Sequence, residues 1–187
     1  MRLTSIVFMS GLIAIAIGWT TIIVTSAVHP CFSIFKNALS DLGALDVPDN
    51  YIFNVGIALA SIFALIHGVF LVYVFKRTTI RLSGALLALS ALFLMLIALY
   101  PEGTSLHYPF SVAFFTLLIM AMLLNGISIA FDCRLRGLAI IVMSFLSIAV
   151  GFLPWPSTCM LEMVVLIFAS IWILLSTIHM RSIMMRS

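Results

Sequence analysis

Charge is what this 187-residue chain has least of. Asp, Glu, Lys and Arg make up 8% of it, where a soluble globular domain carries roughly 25%. With 64% hydrophobic residues and a mean hydropathy of +1.31, a water-soluble fold of this size is excluded, because most of a small domain's surface faces solvent. Lipid is the solvent that remains. The nine Lys and Arg residues fall in clusters between apolar runs and never form a basic face interleaved with aromatics, so the net charge of +3 carries no nucleic-acid signal. Cysteine is scarce as well. Cys31 and Cys159 lie at similar depth and can pair only if the first and sixth helices are neighbours in an oxidising compartment; Cys133 stands alone. A Gly-x-Ser-x-Gly elbow, a zinc-type His-Glu-x-x-His and a phosphate-cradling glycine loop are missing. So are linkers, low-complexity tracts and any convincing internal repeat.

What is present is length in apolar runs. A helix needs about 20 mostly apolar residues to cross the hydrocarbon core. Six stretches meet or approach that length, at about 3–27, 51–75, 82–100, 109–131, 137–153 and 158–180. They predict an all-α integral membrane protein, a single bundle of six transmembrane helices spanning residues 1–187. The fifth is the shortest, and 153-LPWPST-158 closes it with two prolines, which cannot donate backbone hydrogen bonds. The first has Arg2 before it and 25-TSA-27 behind it, yet its apolar core exceeds the roughly 7–15 residues of a secretory signal, so it is expected to stay as a helix.

Basic residues gather in cytoplasmic loops. With the N-terminus inside, Arg2, Lys76, Arg77, Arg81, Arg134, Arg136, Arg181 and Arg186 fall on the inner side and only Lys36 on the outer. The expectation is a multi-pass protein of the cell membrane with both termini cytoplasmic. Asp41, Asp46, Asp49 and Glu102 then lie outside. Small residues recur every fourth position in the second run (Gly56, Ala60, Ala64, Gly68), and at three- and four-residue steps in the first (Gly11, Ala14, Gly18, Thr21). Such stripes predict helix-packing seams. In the loop 29-HPCFSIFKNALSDLGALDVPDN-50, Phe32, Phe35, Leu39 and Leu42 share one side and Ser33, Lys36, Asn37 and Ser40 the other. That pattern predicts a short amphipathic helix lying in the membrane interface from near Pro30 to Gly43.

Polar groups inside lipid are costly, about 2.5–3.5 kcal/mol for a charge at a helix centre on insertion scales, and mark function by default. His67, deep in the second helix, is expected to be neutral and bonded to a neighbouring helix. Asn125 reads as interhelical glue, and His179, beside Arg181, as decoration of the inner surface. The set that converges in depth is Ser40, Asp41, Asn54, Glu102, His107 and Glu162, all at the outer rim or in the outer third. These residues either satisfy helix ends, with acids at N-termini where the helix dipole favours an anion, or form a polar pocket open to the outer leaflet.

The runs 39-LSDLGA-44, 52-IFNVG-56 and 100-YPEGTSLH-107 come in an order that resembles the prokaryotic and archaeal membrane proteins grouped as domain of unknown function 998. That family has a Ser-Asp-Leu-Gly motif after the first helix, a Phe-Asn at the start of the second, and a Pro-Glu with a nearby His after the third. The resemblance covers nearly the whole chain. It implies a six-helix membrane protein of unestablished activity, and it singles out Ser40, Asp41, Asn54, Pro101, Glu102 and His107; Glu162 belongs to no shared motif. A more distant likeness to the Frag1/DRAM/Sfk1 group, linked to lipid handling, is one of layout only.

Three functions compete. The outer pocket binds a lipid headgroup or seats another membrane subunit; or His107, oriented by Asp41 or Glu102, activates Ser40 or a water in an interfacial lipid hydrolase; or the bundle carries a small solute. The expected partner is membrane lipid, with a membrane subunit as the alternative and nucleic acid excluded. Residue spacing gives no support for a metal, and no cofactor is expected.

Overall fold

The computed structural model describes residues 3–184, with side chains over 8–183; Arg2 and Arg186, two of the eight inner-side cations, lie outside the described residues. Every long apolar run is a helix: α1 (Leu3–Val28), α2 (Tyr51–Val74), α3 (Thr78–Leu99), α4 (His107–Ala130), α5 (Arg134–Val150) and α6 (Thr158–Met184). The helical form follows from the solvent, since a backbone crossing lipid has to bond its N–H and C=O groups within its own segment. Five of the six are long and apolar enough to cross a membrane. α5, at 17 residues, reaches about 26 Å at 1.5 Å per residue, short of a hydrocarbon core of about 30 Å.

Consecutive helices from α1 to α5 pack side by side, and α6 closes the bundle against α1, α4 and α5. One end collects Lys76 and Arg77 in a loop and Arg81, Arg134 and Arg136 in the first turns of α3 and α5, and is called the basic end; the other holds the α1–α2 and α3–α4 loops with Asp41 and Glu102 and is called the acidic end. Glycines allow close crossings, that of α2 with α3 among them. A Cβ on Gly68 would fall 2.6 Å from the backbone nitrogen of Ala88 and 2.7 Å from the carbonyl oxygen of Gly84. Serines tie α3 to α4: Ser83 donates to the Ala121 carbonyl (2.8 Å) and Ser90 to the Phe114 carbonyl (2.9 Å). Indoles tie α6 to the rest. Trp19 of α1 donates to the Ser170 hydroxyl (3.0 Å), and the fully buried Trp172 donates to Oδ1 of Asn125 (3.0 Å), which makes Asn125 the interhelical contact its position implies.

The basic end carries an ion cluster. Arg77 holds Asp132 in a fork, 2.7 and 2.8 Å, and donates a third bond to the Ser128 carbonyl (2.7 Å). His179 meets the same carboxylate at 3.4 Å and is 3% exposed. It is therefore a buried partner of Asp132, not the surface decoration its neighbour Arg181 implied. The Arg77 hydrogen bonds hold the Asp132 carboxyl below its usual range, and the same bonds raise the guanidinium.

The interfacial helix expected from Pro30 to Gly43 is reduced to a five-residue 3-10 helix, Leu39–Gly43. Asn37 Oδ1 accepts the Ser33 N–H, Asp41 Oδ2 accepts both the Ala38 N–H and the Asn37 amide, and these side-chain bonds (all 2.9 Å) replace the turns an α-helix would make. Ile34 and Phe35 are exposed, but the 3-10 turn is turned inward. Leu39, Leu42 and Gly43 are buried in a small apolar cluster with Ile22, Phe53, Ile57 and Cys159, so the loop plugs the acidic end. All three cysteines are free, Cys31 exposed and Cys159 buried.

Candidate functional site

The plug is where the predicted polar residues meet. Asn54 donates to the Gly43 carbonyl (2.9 Å), and Glu162 Oε2 accepts the Leu39 N–H (2.8 Å). Leu45 N–H bonds the Glu102 carbonyl (3.1 Å), which fastens the α3–α4 loop to the same segment. Gly43 is needed here, because any Cβ would collide with the Asn54 amide and the Phe53 ring. Asp41, by contrast, is turned back onto its own loop.

Three residues form a bonded row. Ser40 Oγ donates to Glu102 Oε2 (3.3 Å), and the same oxygen lies 3.2 Å from His107 Nε2. His107 Nδ1 is 2.9 Å from the Tyr100 carbonyl. A carbonyl only accepts, so Nδ1 carries a proton. Ser40 and His107 thus meet at one carboxylate oxygen. The row also spans two environments: the Glu102 side chain is 43% exposed and that of His107 only 7%.

His107 faces inward onto a cavity of about 180 Å³. Ser40, His107, Ser111 and Glu162 line its acidic end. Below them the walls are apolar, from Trp19 and Ile22 of α1, Phe53 and Ile57 of α2, Leu94 of α3, Phe114 of α4 and Leu166 of α6. His67 lines it too, fourteen residues along α2 from Phe53, or about 21 Å deeper at 1.5 Å per residue. Small residues open this space. Ala60 and Ala64, expected in a seam with Gly56 and Gly68, line the cavity together with Gly11, Ala14 and Gly18; only Gly56, against Thr21, and Gly68 make the tight crossings. A four-residue repeat winds slowly around a helix of 3.6 residues per turn, so one stripe serves two neighbours.

His67 departs furthest from expectation. It is fully buried, and neither ring nitrogen has a hydrogen-bond partner among the described residues. The reason is what faces it: Gly11 has no side chain to offer, and Phe70 stacks at 6.3 Å between ring centroids.

Of the six candidates, Ser40, His107 and Glu162 line the cavity, Glu102 joins the first two, and Asp41 and Asn54 hold the plug in place. Ser111 was missed; its place one helical turn after His107 is the signal that points to it. The Tyr100 carbonyl was missed too, since backbone groups carry no sequence signal. Among the described residues, no group of three His, Cys, Asp or Glu is placed to hold a metal ion.

A family model described as "Protein of unknown function (DUF998)" matches residues 12–179. The chain belongs to that family, and the motifs at 39–44, 52–56 and 100–107 are the ones that build the plug and its bonded row. No curated protein and no solved structure shows significant similarity to the chain.

Proposed function

We propose that the cavity binds a membrane lipid, with the headgroup at Ser40, His107 and Glu162 and the chain in the apolar shaft below. One observation carries this reading: a single cavity begins among polar side chains at the acidic end and continues between apolar walls into the bundle. Ligand sites have this composition, mostly apolar with a few placed polar groups. The basic-residue pattern assigns the acidic end to the outside, so the headgroup belongs to the outer leaflet of the cell membrane. The carboxylates of Glu102 and Glu162 favour a head bearing hydrogen-bond donors, an amine or hydroxyls, over a bare phosphate.

The test is to purify the protein in discs of its native membrane and identify the lipids that co-elute, for the wild type and a Glu102→Ala/His107→Ala double variant. The wild type is expected to retain one lipid class that the variant loses. Identical lipid profiles would end the proposal.

The bonded row also favours a second reading, an interfacial hydrolase. Its weakness is order: an imidazole base has to touch the nucleophile, and here Glu102 stands between Ser40 and His107. Labelling of Ser40 by a fluorophosphonate, abolished in Ser40→Ala, would establish this reading over the binding one.

A further inference from the structure

His67 lines the cavity, and the headgroup reading leaves it without a task. Its burial is complete, both nitrogens are unpartnered among the described residues, and the ring lines the cavity at the end away from Ser40 and His107. A buried polar group left unsatisfied forfeits the hydrogen bonds it made in water, and a neutral imidazole presents two such groups, one donor and one acceptor. Gly11 and Phe70, which flank the ring, supply neither. A ligand reaching the ring relieves this by bonding one of the nitrogens. A plain hydrocarbon chain end bonds neither, a carbonyl only the one that donates, and a hydroxyl can serve either nitrogen. A charged group is disfavoured, because the shaft walls between the acidic-end cluster and His67 carry no charge.

We propose that His67 is a second recognition point, and that the lipid bound here carries an uncharged oxygen, a hydroxyl above all, far down its chain, about 21 Å below the level of Phe53 (fourteen residues of α2 at 1.5 Å each). This rests on the cavity being a lipid site and adds which lipids it prefers. Specificity arises because a ligand lacking the oxygen leaves the imidazole unpaired, the penalty that lets polar sites reject apolar analogues.

Two probes decide it: a saturated lysophosphatidylethanolamine whose chain spans the shaft, and the same molecule with a hydroxyl at the chain end. Both are titrated against the purified full-length protein, using Trp19 fluorescence in a variant with the other two tryptophans replaced, or calorimetry on the unmodified protein. The wild type is expected to bind the hydroxylated probe about tenfold more tightly, the equivalent of one hydrogen bond at about 1.4 kcal/mol. His67→Leu should bind both probes alike, and His67→Gln, which keeps a donor and an acceptor, should retain part of the preference. Equal affinities in the wild type overturn the inference and leave the headgroup reading standing, as does a preference that survives in His67→Leu. If neither probe binds, both fall together.

Discussion

The α2–α3 crossing offers the sharpest test of how this bundle is held together. Gly68 and Gly84 face each other so closely that a methyl on Gly68 would sit 2.6 Å from a backbone nitrogen and 2.7 Å from a carbonyl oxygen of α3. Neither atom can swing aside as a flexible side chain would, so Gly68→Ala has to push the helices apart. Separation loosens the dispersion contacts that hold helices together in lipid, where no hydrophobic drive replaces them. Overpacking of this kind costs about 1–3 kcal/mol. At about 2–4 °C per kcal/mol for a chain of this size, that is a fall of roughly 2–12 °C in the melting midpoint, read by intrinsic tryptophan fluorescence in detergent. Gly18→Ala is the matched control, because a Cβ there meets no atom within 4 Å; at within about 0.5 kcal/mol of the wild type its midpoint should shift by no more than about 1–2 °C. If the two variants melt together, the close crossing does not hold the helices as described.

Two further predictions concern polar contacts. Asp132→Asn removes the charge from the Arg77 fork, whose partners are both partly exposed, so the loss at neutral pH should be small, about 0.2–1 kcal/mol. Because the folded carboxyl is held below its usual range, its contribution is full above about pH 4 and is lost as the pH falls through the lowered value. The gap between wild type and variant in denaturant titrations should therefore close on acidification; a gap that widens would refute the assignment. Trp172→Phe leaves Asn125, buried and already lacking a partner for Nδ2, with no bond for Oδ1 either. A loss of about 1–3 kcal/mol is expected, and Asn125→Leu in the same background should restore much of it. No rescue would mean the indole matters only for its volume.

The helices were legible because lipid imposes one rule on the whole chain: apolar over about 20 residues, with charge between. The errors cluster where two side chains or a backbone group decide the outcome. The loop at 30–43 has a fair amphipathic pattern, yet Ser33, Asn37 and Asp41 offer the backbone a local alternative that the pattern does not register. His179 looked superficial because its partner, Asp132, is a lone acid in a basic loop 47 residues away. His67 was expected to find a neighbour, and sequence has no means of showing that the residue opposite is Gly11.

Capping alone does not account for the acidic end. Asp41 and Asn54 do fit that reading, since every bond they make goes to the plug or its backbone. Glu162 fits it partly: it takes the Leu39 N–H near the start of α6, where the helix dipole favours an anion, but it also faces the cavity. The row of Ser40, Glu102 and His107 does not fit. His107 is the first residue of α4, where the dipole opposes an imidazolium; its Nδ1 caps the carbonyl of Tyr100 at the end of α3, and what capping leaves unexplained is Nε2, beside Glu102 and the cavity. A helix start would be served better by Ser or Asp. His107 lies beside the partly exposed Glu102 carboxylate on one side and lines the apolar shaft on the other, which is the position the proposed lipid site gives it. Replacing His107 with Asp separates the alternatives. It should preserve or raise the melting midpoint as a better cap while abolishing lipid retention, and a variant that keeps its lipid would return the whole row to a structural role.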